Sequence, residues 1–372
     1  MADLSFIKSF EKTVEKLENV SGISSPPRYW YSSGNYVLNY ILSGNFQNAI
    51  PQGRITAMAG PSGSGKSFIQ CNVCIDAQKQ GAYVLMIDSE NSLDDDFTSK
   101  IGINVDLDYN YKSVVTIDDT IKLLSSFIQG YRSTYGEAVD APKVLIVLDS
   151  LDMLLTSTEQ TNFDKGDIKG DQGQRAKQIK AMLRNIVQQI KNLNISVIVT
   201  THVYGATQEQ ILKGLADGSW VINGAVKFSL SHLMLLTKLK LKDDSGGFSG
   251  IRMKCQPVKT RFTKPFQDVV IDVPYETGMD PYSGLKDVAT ALGVLEKKGS
   301  YNKIVGTDIQ FYAKNIAEHA DLIFEKIDEL DTSNTSLHMT ETLNEVEEGH
   351  TTSDSSTAKR LQKLMNIDAS ED

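Results

Sequence analysis

Apolar residues fall along this chain in short, nearly continuous runs. "RITAMAG" (54–60), "AYVLMIDSE" (82–90), "KVLIVLDS" (143–150) and "ISVIVTTH" (195–202) are the clearest. Strands buried on both faces read this way, because neither face needs polar cover. The stretches between them, notably 67–79, 118–131 and 174–193, read as helices. Strand-helix-strand alternation predicts an α/β fold with a mainly parallel central sheet covered by helices. The later runs "LMLLTKLKL", "IRMKCQPV" and "DVVIDV" have short connections such as "KDDSGGFSG". The sheet is therefore expected to end in antiparallel hairpins.

Around this core the pattern changes. In "LSFIKSFEKTVEKLENV", Phe6, Phe10, Val14 and Leu17 form one helical stripe. Residues 156–174 and 203–224 are long connections for a compact domain, which usually marks functional or mobile segments. From about Thr332 to Thr357 the chain is rich in Ser, Thr and Glu and is expected to be disordered. The expected organisation is an N-terminal segment (1–30), a core (31–285), a small C-terminal helical region (286–330) and an acidic tail (331–372).

The net charge of −9 argues at first against a polyanionic partner. Its distribution changes that. Residues 318–372 hold 14 acidic and 4 basic residues, leaving 33 acidic and 34 basic in residues 1–317. The body is near neutral, so a basic patch on it is allowed. Three cysteines in 372 residues suit a reducing compartment, and the lone Cys71-x-x-Cys74 pair reads as helix core rather than a metal or redox site. No apolar run is long enough to span a bilayer and no signal-peptide pattern opens the chain. A cytoplasmic protein without membrane partners is expected.

Chemistry enters at "GPSGSGKS". Gly60, Pro61, Ser62, Gly63, Ser64, Gly65, Lys66 and Ser67 match G-x-x-x-x-G-K-[ST] between an expected strand and an expected helix. The glycines let main-chain N–H groups curl around phosphate oxygens, and the helix N-terminus adds its positive dipole end. Lys66 is expected to bridge the β- and γ-phosphates of a nucleoside triphosphate, and Ser67 to hold Mg²⁺. Asp149 ends an apolar strand and is expected to bind that Mg²⁺ through water. Hydrolysis also needs a carboxylate to orient the attacking water. "LMIDSEN" offers Asp88 and Glu90, and Glu90 is the choice. The acidic run from Asp94 to Asp96 suits a helix N-terminus. Finally, "PVKTRFTKP" sets Lys259 and Arg261 two apart in what reads as a strand, so both are expected on one face.

In these residues the chain resembles the RecA-type recombinases, and among them the UvsX branch of T-even-type phages. "SSGNYVLNYILSGNFQNAIPQGRITAMAGPSGSGKS" (32–67), "MIDSENSLDDDFTSKIGINVD" (86–106) and "TTHVY" (200–204) carry the likeness, and "TGMDPYSGLKDVATALGVL" (277–295) is similar to the phage branch in particular. The phosphate motif alone is generic; the ordered set is specific. The resemblance spans roughly residues 30–295 and implies a RecA-like P-loop ATPase core using ATP and Mg²⁺. It implies that Phe97 stacks on adenine, that Asp94 lies at the adenine edge, and that Glu90 orients water. It puts His202 where the bacterial form has a γ-phosphate-sensing Gln. It makes Lys259 and Arg261 a cationic pair that reaches the γ-phosphate held by a neighbouring subunit.

The resemblance also implies partners: single- and double-stranded DNA, further copies of the chain in a helical filament, with residues 1–30 as the oligomerisation segment, and a recombination mediator and a single-strand-binding protein. The long connections fall where the family's DNA loops fall. Lys165, Lys169, Arg175 and Lys177 in or after the first, Arg184 on the following helix, and Ile211, Leu212 and Lys213 in the second are the implied DNA contacts. Cations there would neutralise phosphates, and an apolar side chain would wedge between bases. If phage-encoded, the protein is expected in the cytoplasm of an infected bacterium. A ring helicase on the same core is the nearest alternative, though it would usually add an accessory domain. A regulatory ATP-binding scaffold without DNA activity is the other.

Overall fold

The computed structural model describes residues 26–93, 95–167, 173–213, 216–217, 219–242, 246–263 and 268–330. The N-terminal stripe, Asp94, Lys169 and the acidic tail lie outside the described residues. The described chain divides into two compact units, parting at Val288 and Ala289.

After a short antiparallel pair, β1 (Trp30–Tyr31) and β2 (Ile50–Pro51), the first unit is built on an eight-stranded sheet. Its strands are β3 (Ile55–Ala59), β4 (Tyr83–Asp88), β5 (Tyr109–Ser113), β6 (Val144–Asp149), β7 (Ile195–Thr201), β10 (His232–Lys242), β11 (Phe248–Lys259) and β12 (Val269–Pro274). Their order is β12-β11-β10-β3-β7-β6-β4-β5. From β10 to β5 every neighbour is parallel. β11 and β12 are antiparallel additions at one edge. The expected mainly parallel sheet ending in hairpins is what forms.

The sequence rhythm explains the layers. β3, β6 and β7 are buried at every position, so both faces must be covered. One face carries Ile55, Ala57, Ile87, Val144, Ile146, Leu148, Val197 and Val199 into a core shared with two helices, Ile117–Tyr135 and Gln174–Gln189. The first of these buries Ile117, Thr120, Leu124, Ile128 and Tyr131, the helical three-and-four spacing. Thr116 caps it by accepting from Asp119 N–H, and Asp118 and Asp119 suit the positive end of its dipole. The helix Lys66–Lys79 packs against β4, β6 and β7, with Ile69, Val73, Cys74 and Ala77 buried. Cys71 and Cys74 are buried and unpaired with one another, and burial pushes Cys71 up to about 12, as expected of helix core.

The two long connections hold more structure than their composition suggested. The first carries a helix, Ser157–Asp164, with a capping box between Thr156 and Glu159. The second contains β8 (Val203–Gly205) paired with β9 (Trp220–Ile222), and a short helix, Gln208–Leu212, capped by Thr207. The second unit has a three-stranded antiparallel sheet of β13 (Leu295–Lys298), β14 (Tyr301–Ile304) and β15 (Gln310–Phe311), then a 3-10 segment, Ala313–His319. Helical residues 320–330 follow.

Candidate active site

Four adjacent strands, β3, β7, β6 and β4, deliver their C-terminal ends to one edge of the sheet. Ligands bind outside the carboxyl ends of strands in open α/β sheets, and each of these four ends carries a polar group.

β3 runs into residues 60–67. The loop is held close to the antiparallel edge of the sheet. A Cβ on Gly60 would collide with the Leu236 carbonyl, and one on Gly65 with Met253 Sδ. Gly65 also has φ +94, a conformation L side chains rarely adopt. Lys66 is buried, and its ammonium donates to the Gly60 carbonyl at 2.9 Å and the Pro61 carbonyl at 3.1 Å. The loop is thus wrapped around its own lysine. Burial pushes the Lys66 pKa down, opposed by the charges of Asp149, Glu90 and Asp152. Ser62 and Gly63 are exposed and Ser64 is buried. Lys238, an exposed residue of β10, brings Nζ to 2.5 Å from where a Cβ on Gly63 would stand, a second cation that sequence reading did not single out.

β6 supplies Asp149. Its Oδ2 accepts from Ser67 Oγ at 2.9 Å and from Gln70 Nε2, while Thr200 Oγ1 donates to Oδ1. Burial raises the Asp149 pKa against the hydrogen bonds from Thr200 and Ser67, and the Glu90 charge adds to the rise. The next peptide, Asp149–Ser150, is cis. The donor set suits Mg²⁺: a hydroxyl and a carboxylate, both hard oxygens. Among the described residues no cluster of three or more His, Cys, Asp or Glu could hold a metal by itself. Mg²⁺ typically takes one or two protein oxygens and completes its shell with phosphates and water.

β4 offers the two carboxylates that the sequence left side by side, and the structure separates them. Asp88 Oδ1 accepts from the N–H groups of Glu90 and Asn91, at 2.7 and 2.9 Å. Its Oδ2 accepts from Ser92 and Leu93 N–H, both at 3.0 Å, and from Tyr111 OH at 2.9 Å. Asp88 therefore shapes the turn. Glu90 faces the site: Oε1 accepts from Ser150 Oγ at 2.6 Å and pairs with His202 Nε2 at 3.0 Å. Burial would raise its pKa, but the bonds from Ser150 and His202, with the charges of His202 and Lys66, hold it below the ordinary value.

His202 follows β7. The orientation of this residue depends on Asp152, which sequence reading missed. Asp152 Oδ2 accepts from His202 N–H at 2.6 Å and from Thr201 Oγ1 at 2.7 Å. No motif announces Asp152; only the folded turn after β6 brings it under His202.

Phe97 falls in the helix Asp95–Ile101, with its side chain outside the described residues. Gly278 approaches the first turn of the helix Lys66–Lys79: a Cβ placed on it would stand 3.9 Å from Phe68 Cζ. Tyr275, 70% exposed and three residues before Gly278 in the chain, was not foreseen.

Lys259 and Arg261 require a correction. β11 ends at Lys259, and Arg261 lies in a bend beyond it. The ladder stops because its partner strand starts at His232, and Lys259 pairs with Leu233 after a register shift. Thr260 then turns away to donate to the Leu42 carbonyl at 2.7 Å, and Phe262 packs edge-on against Trp30. The same-face argument therefore does not apply to Arg261. Its charge instead acts on Arg54 and Lys259, adding to burial in lowering both pKa values. Lys259 Nζ donates to the Lys227 carbonyl at 3.1 Å, and Lys227 Nζ in turn grips Asp217 at 2.7 Å. Arg54 precedes β3, whereas the phosphate loop follows it. Five strand residues, about 17 Å, separate the two ends. Arg261, whose charge acts on Arg54, thus sits toward the opposite end of β3 from its own phosphate loop, and Lys259, paired through Leu233 to the level of Ala57, lies partway along it.

Of the residues singled out for DNA, Lys165, Lys177, Arg184, Ile211, Leu212 and Lys213 are exposed. Arg175 is partly buried and donates to the Asp152 carbonyl at 3.3 Å. Lys213 is paired with Glu209 at 2.6 Å. Among the described residues no helix is long and apolar enough to cross a membrane.

Comparison with known proteins agrees with this geometry. The profile of the RecA N-terminal domain matches residues 29–280. The chain is 28% identical over 287 residues to Protein RecA of Aquifex aeolicus, covering 74% of this chain and 76% of that protein. It is 24% identical over 348 residues to Protein RecA of a Wolbachia of Brugia malayi, covering 90% of this chain and 88% of that one.

Proposed function

Because the chain belongs to the RecA family, we propose that it is an ATP-dependent DNA recombinase. It binds ATP with Mg²⁺, assembles as a helical filament on single-stranded DNA, and pairs that strand with homologous duplex. Hydrolysis to ADP and phosphate then releases the filament.

The observation that carries this reading is the separation of Lys259 and Arg261 from their own phosphate loop along β3. Cations stabilise the charge of a transferring phosphoryl group only when they reach it. On this reading they complete a site on another copy. A repeated contact of that kind is heterologous, and when it does not close it builds a helix.

Within one chain the roles follow the geometry. The main chain of residues 60–67 cradles the phosphates, and Lys66 exchanges its loop carbonyls for phosphate oxygens. Ser67 and Asp149 would hold Mg²⁺, which would withdraw charge from the β- and γ-oxygens. Glu90 accepts a proton from, and aims, the attacking water. His202, joined to Glu90 and followed directly by β8, links the γ-phosphate to the second long connection. Phe97 and Asp94 are assigned to the adenine.

Lys165, Lys169, Arg175, Lys177 and Arg184, with Ile211, Leu212 and Lys213, are assigned to DNA. The finer assignment is to the phage branch, supported by His202 and by residues 277–295. It brings an infected host's cytoplasm, a mediator and a single-strand-binding protein as setting and partners.

The test is ATP hydrolysis with and without single-stranded DNA at matched salt, with the same sample viewed by electron microscopy. Strong stimulation together with filaments is expected. ATP binding without stimulation would overturn the reading.

A further inference from the structure

The pairing of Glu90 with His202 needs something to hold the imidazole still. His202 stands at a strand end, where the main chain has left the ladder. Two hydrogen bonds to one carboxylate oxygen fix it there: His202 N–H to Asp152 Oδ2 at 2.6 Å, and the hydroxyl of the preceding residue, Thr201, to the same atom at 2.7 Å. The Asp152 main chain is held in turn. Its carbonyl accepts from Arg175 at 3.3 Å, on the helix that leaves the first long connection. Asp152 thus lies between that connection and the Glu90–His202 pair, two residues after Ser150, the other donor to Glu90.

We propose that Asp152 is a positioning residue for hydrolysis: it fixes the main chain of His202 so that the imidazole meets Glu90, and it joins this pair to the exit of the first long connection. This rests on the reading of Glu90 as the group that aims the attacking water. In this role Asp152 acts through His202 and not on the water or the phosphate directly. It acts through the direction of its two accepted hydrogen bonds, and its charge is secondary.

Three variants separate geometry from charge. Asp152→Ala removes the acceptor. Asp152→Glu keeps the charge but moves the oxygen outward by one methylene. Asp152→Asn removes the charge but keeps an acceptor oxygen in place. Misplacing a reacting group by about 1 Å costs on the order of 100-fold. Asp152→Ala and Asp152→Glu are therefore expected to lower DNA-stimulated kcat by at least about 10-fold, with KM for ATP within about 3-fold of wild type. Asp152→Asn is expected to recover kcat to within about 3-fold of wild type.

A full-length protein is used throughout, and thermal melting identifies any variant that fails to fold. If Asp152→Ala does so, Asp152→Glu and Asp152→Asn decide. Activity retained by Asp152→Glu and lost by Asp152→Asn would overturn the proposal in favour of a purely electrostatic role. Wild-type kcat in Asp152→Ala would overturn it outright. If wild type itself bound ATP without hydrolysing it, the functional reading would fail and the proposal would fall with it. Wild-type hydrolysis with the wrong variant pattern would sink the positioning role alone.

Discussion

Glu90 Oε1 and His202 Nε2 meet at 3.0 Å although their strands, β4 and β7, are not neighbours in the sheet. β6 lies between them and contributes Ser150, whose hydroxyl donates to the same Glu90 oxygen. Ser89 and Ser150 lock the two strand ends together, with Ser89 Oγ donating to the Ser150 carbonyl at 2.7 Å and accepting from its N–H at 3.0 Å. Three strand ends therefore converge on one carboxylate oxygen. Glu90→Gln keeps the size and loses the base. It is expected to lower kcat by roughly 100- to 10,000-fold while leaving nucleotide affinity nearly intact. Single-turnover hydrolysis beside equilibrium binding of ATP checks this, and unchanged turnover would remove Glu90 from its role.

Gly65 tests the loop. An alanine there must adopt φ +94 and push against Met253 Sδ. Backbone strain of this kind costs on the order of 1–3 kcal/mol, and relief requires the loop to leave its place. Gly65→Ala is expected to melt several degrees lower and to lose the stabilisation that added ATP gives wild type. Melting curves with and without ATP and Mg²⁺ report both effects.

If sites are shared between copies as proposed, a mixing experiment is decisive. Lys259→Ala, Arg261→Ala protein keeps its phosphate loop, and Glu90→Gln protein keeps its cations. Each alone is expected to hydrolyse little in the presence of DNA. Mixed in equal amounts, they form some contacts in which sound cations meet a sound site. Random placement gives on the order of one contact in four, so roughly a quarter of wild-type activity should return. No recovery would mean the cations serve their own chain.

The buried imidazole of His232 predicts an acid-sensitive stability. Burial first, then the charges of Arg54 and Arg261, push its pKa down to about 3. In the unfolded chain it titrates near about 6.5. Between these values only the unfolded state takes the proton, so its contribution is intact above about pH 6.5 and is lost as the pH falls. At roughly 1.4 kcal/mol per unit, the loss at pH 5 is about 2 kcal/mol. His232→Phe, seated among Trp30 and Phe262, should lose less by that amount between pH 7 and pH 5 in urea melts. Equal losses in both proteins would show that the imidazole is not held neutral.

The parallel core was legible because unbroken apolar runs such as "VLIVLD" record burial on two faces, and the antiparallel edge because its connections are short. The phosphate loop was legible because phosphate cradling restricts residue types at fixed spacing. Asp152, Thr200 and Gln70 were not. Each is an ordinary polar residue locally, and becomes part of the site only through partners 49, 51 and 79 positions away. The split between Asp88 and Glu90 was likewise hidden, since spacing alone cannot tell a carboxylate that accepts five hydrogen bonds from its own turn and β5 from one that faces a cleft. Arg261 misled for a related reason. Alternation holds only while a strand has a partner, and where β10 begins is a matter of pairing across the sheet.

In the proposed filament, β3 would give each subunit two unlike ends, a donor of cations at one and a receiver of phosphate at the other. A row of n such subunits has n − 1 completed junctions. One terminal subunit holds nucleotide that nothing completes, and the opposite one holds out charges that meet nothing. Turnover per subunit should then climb with row length, from near silence in the monomer toward a plateau. Activity would then gauge how long the protein's own polymer has grown.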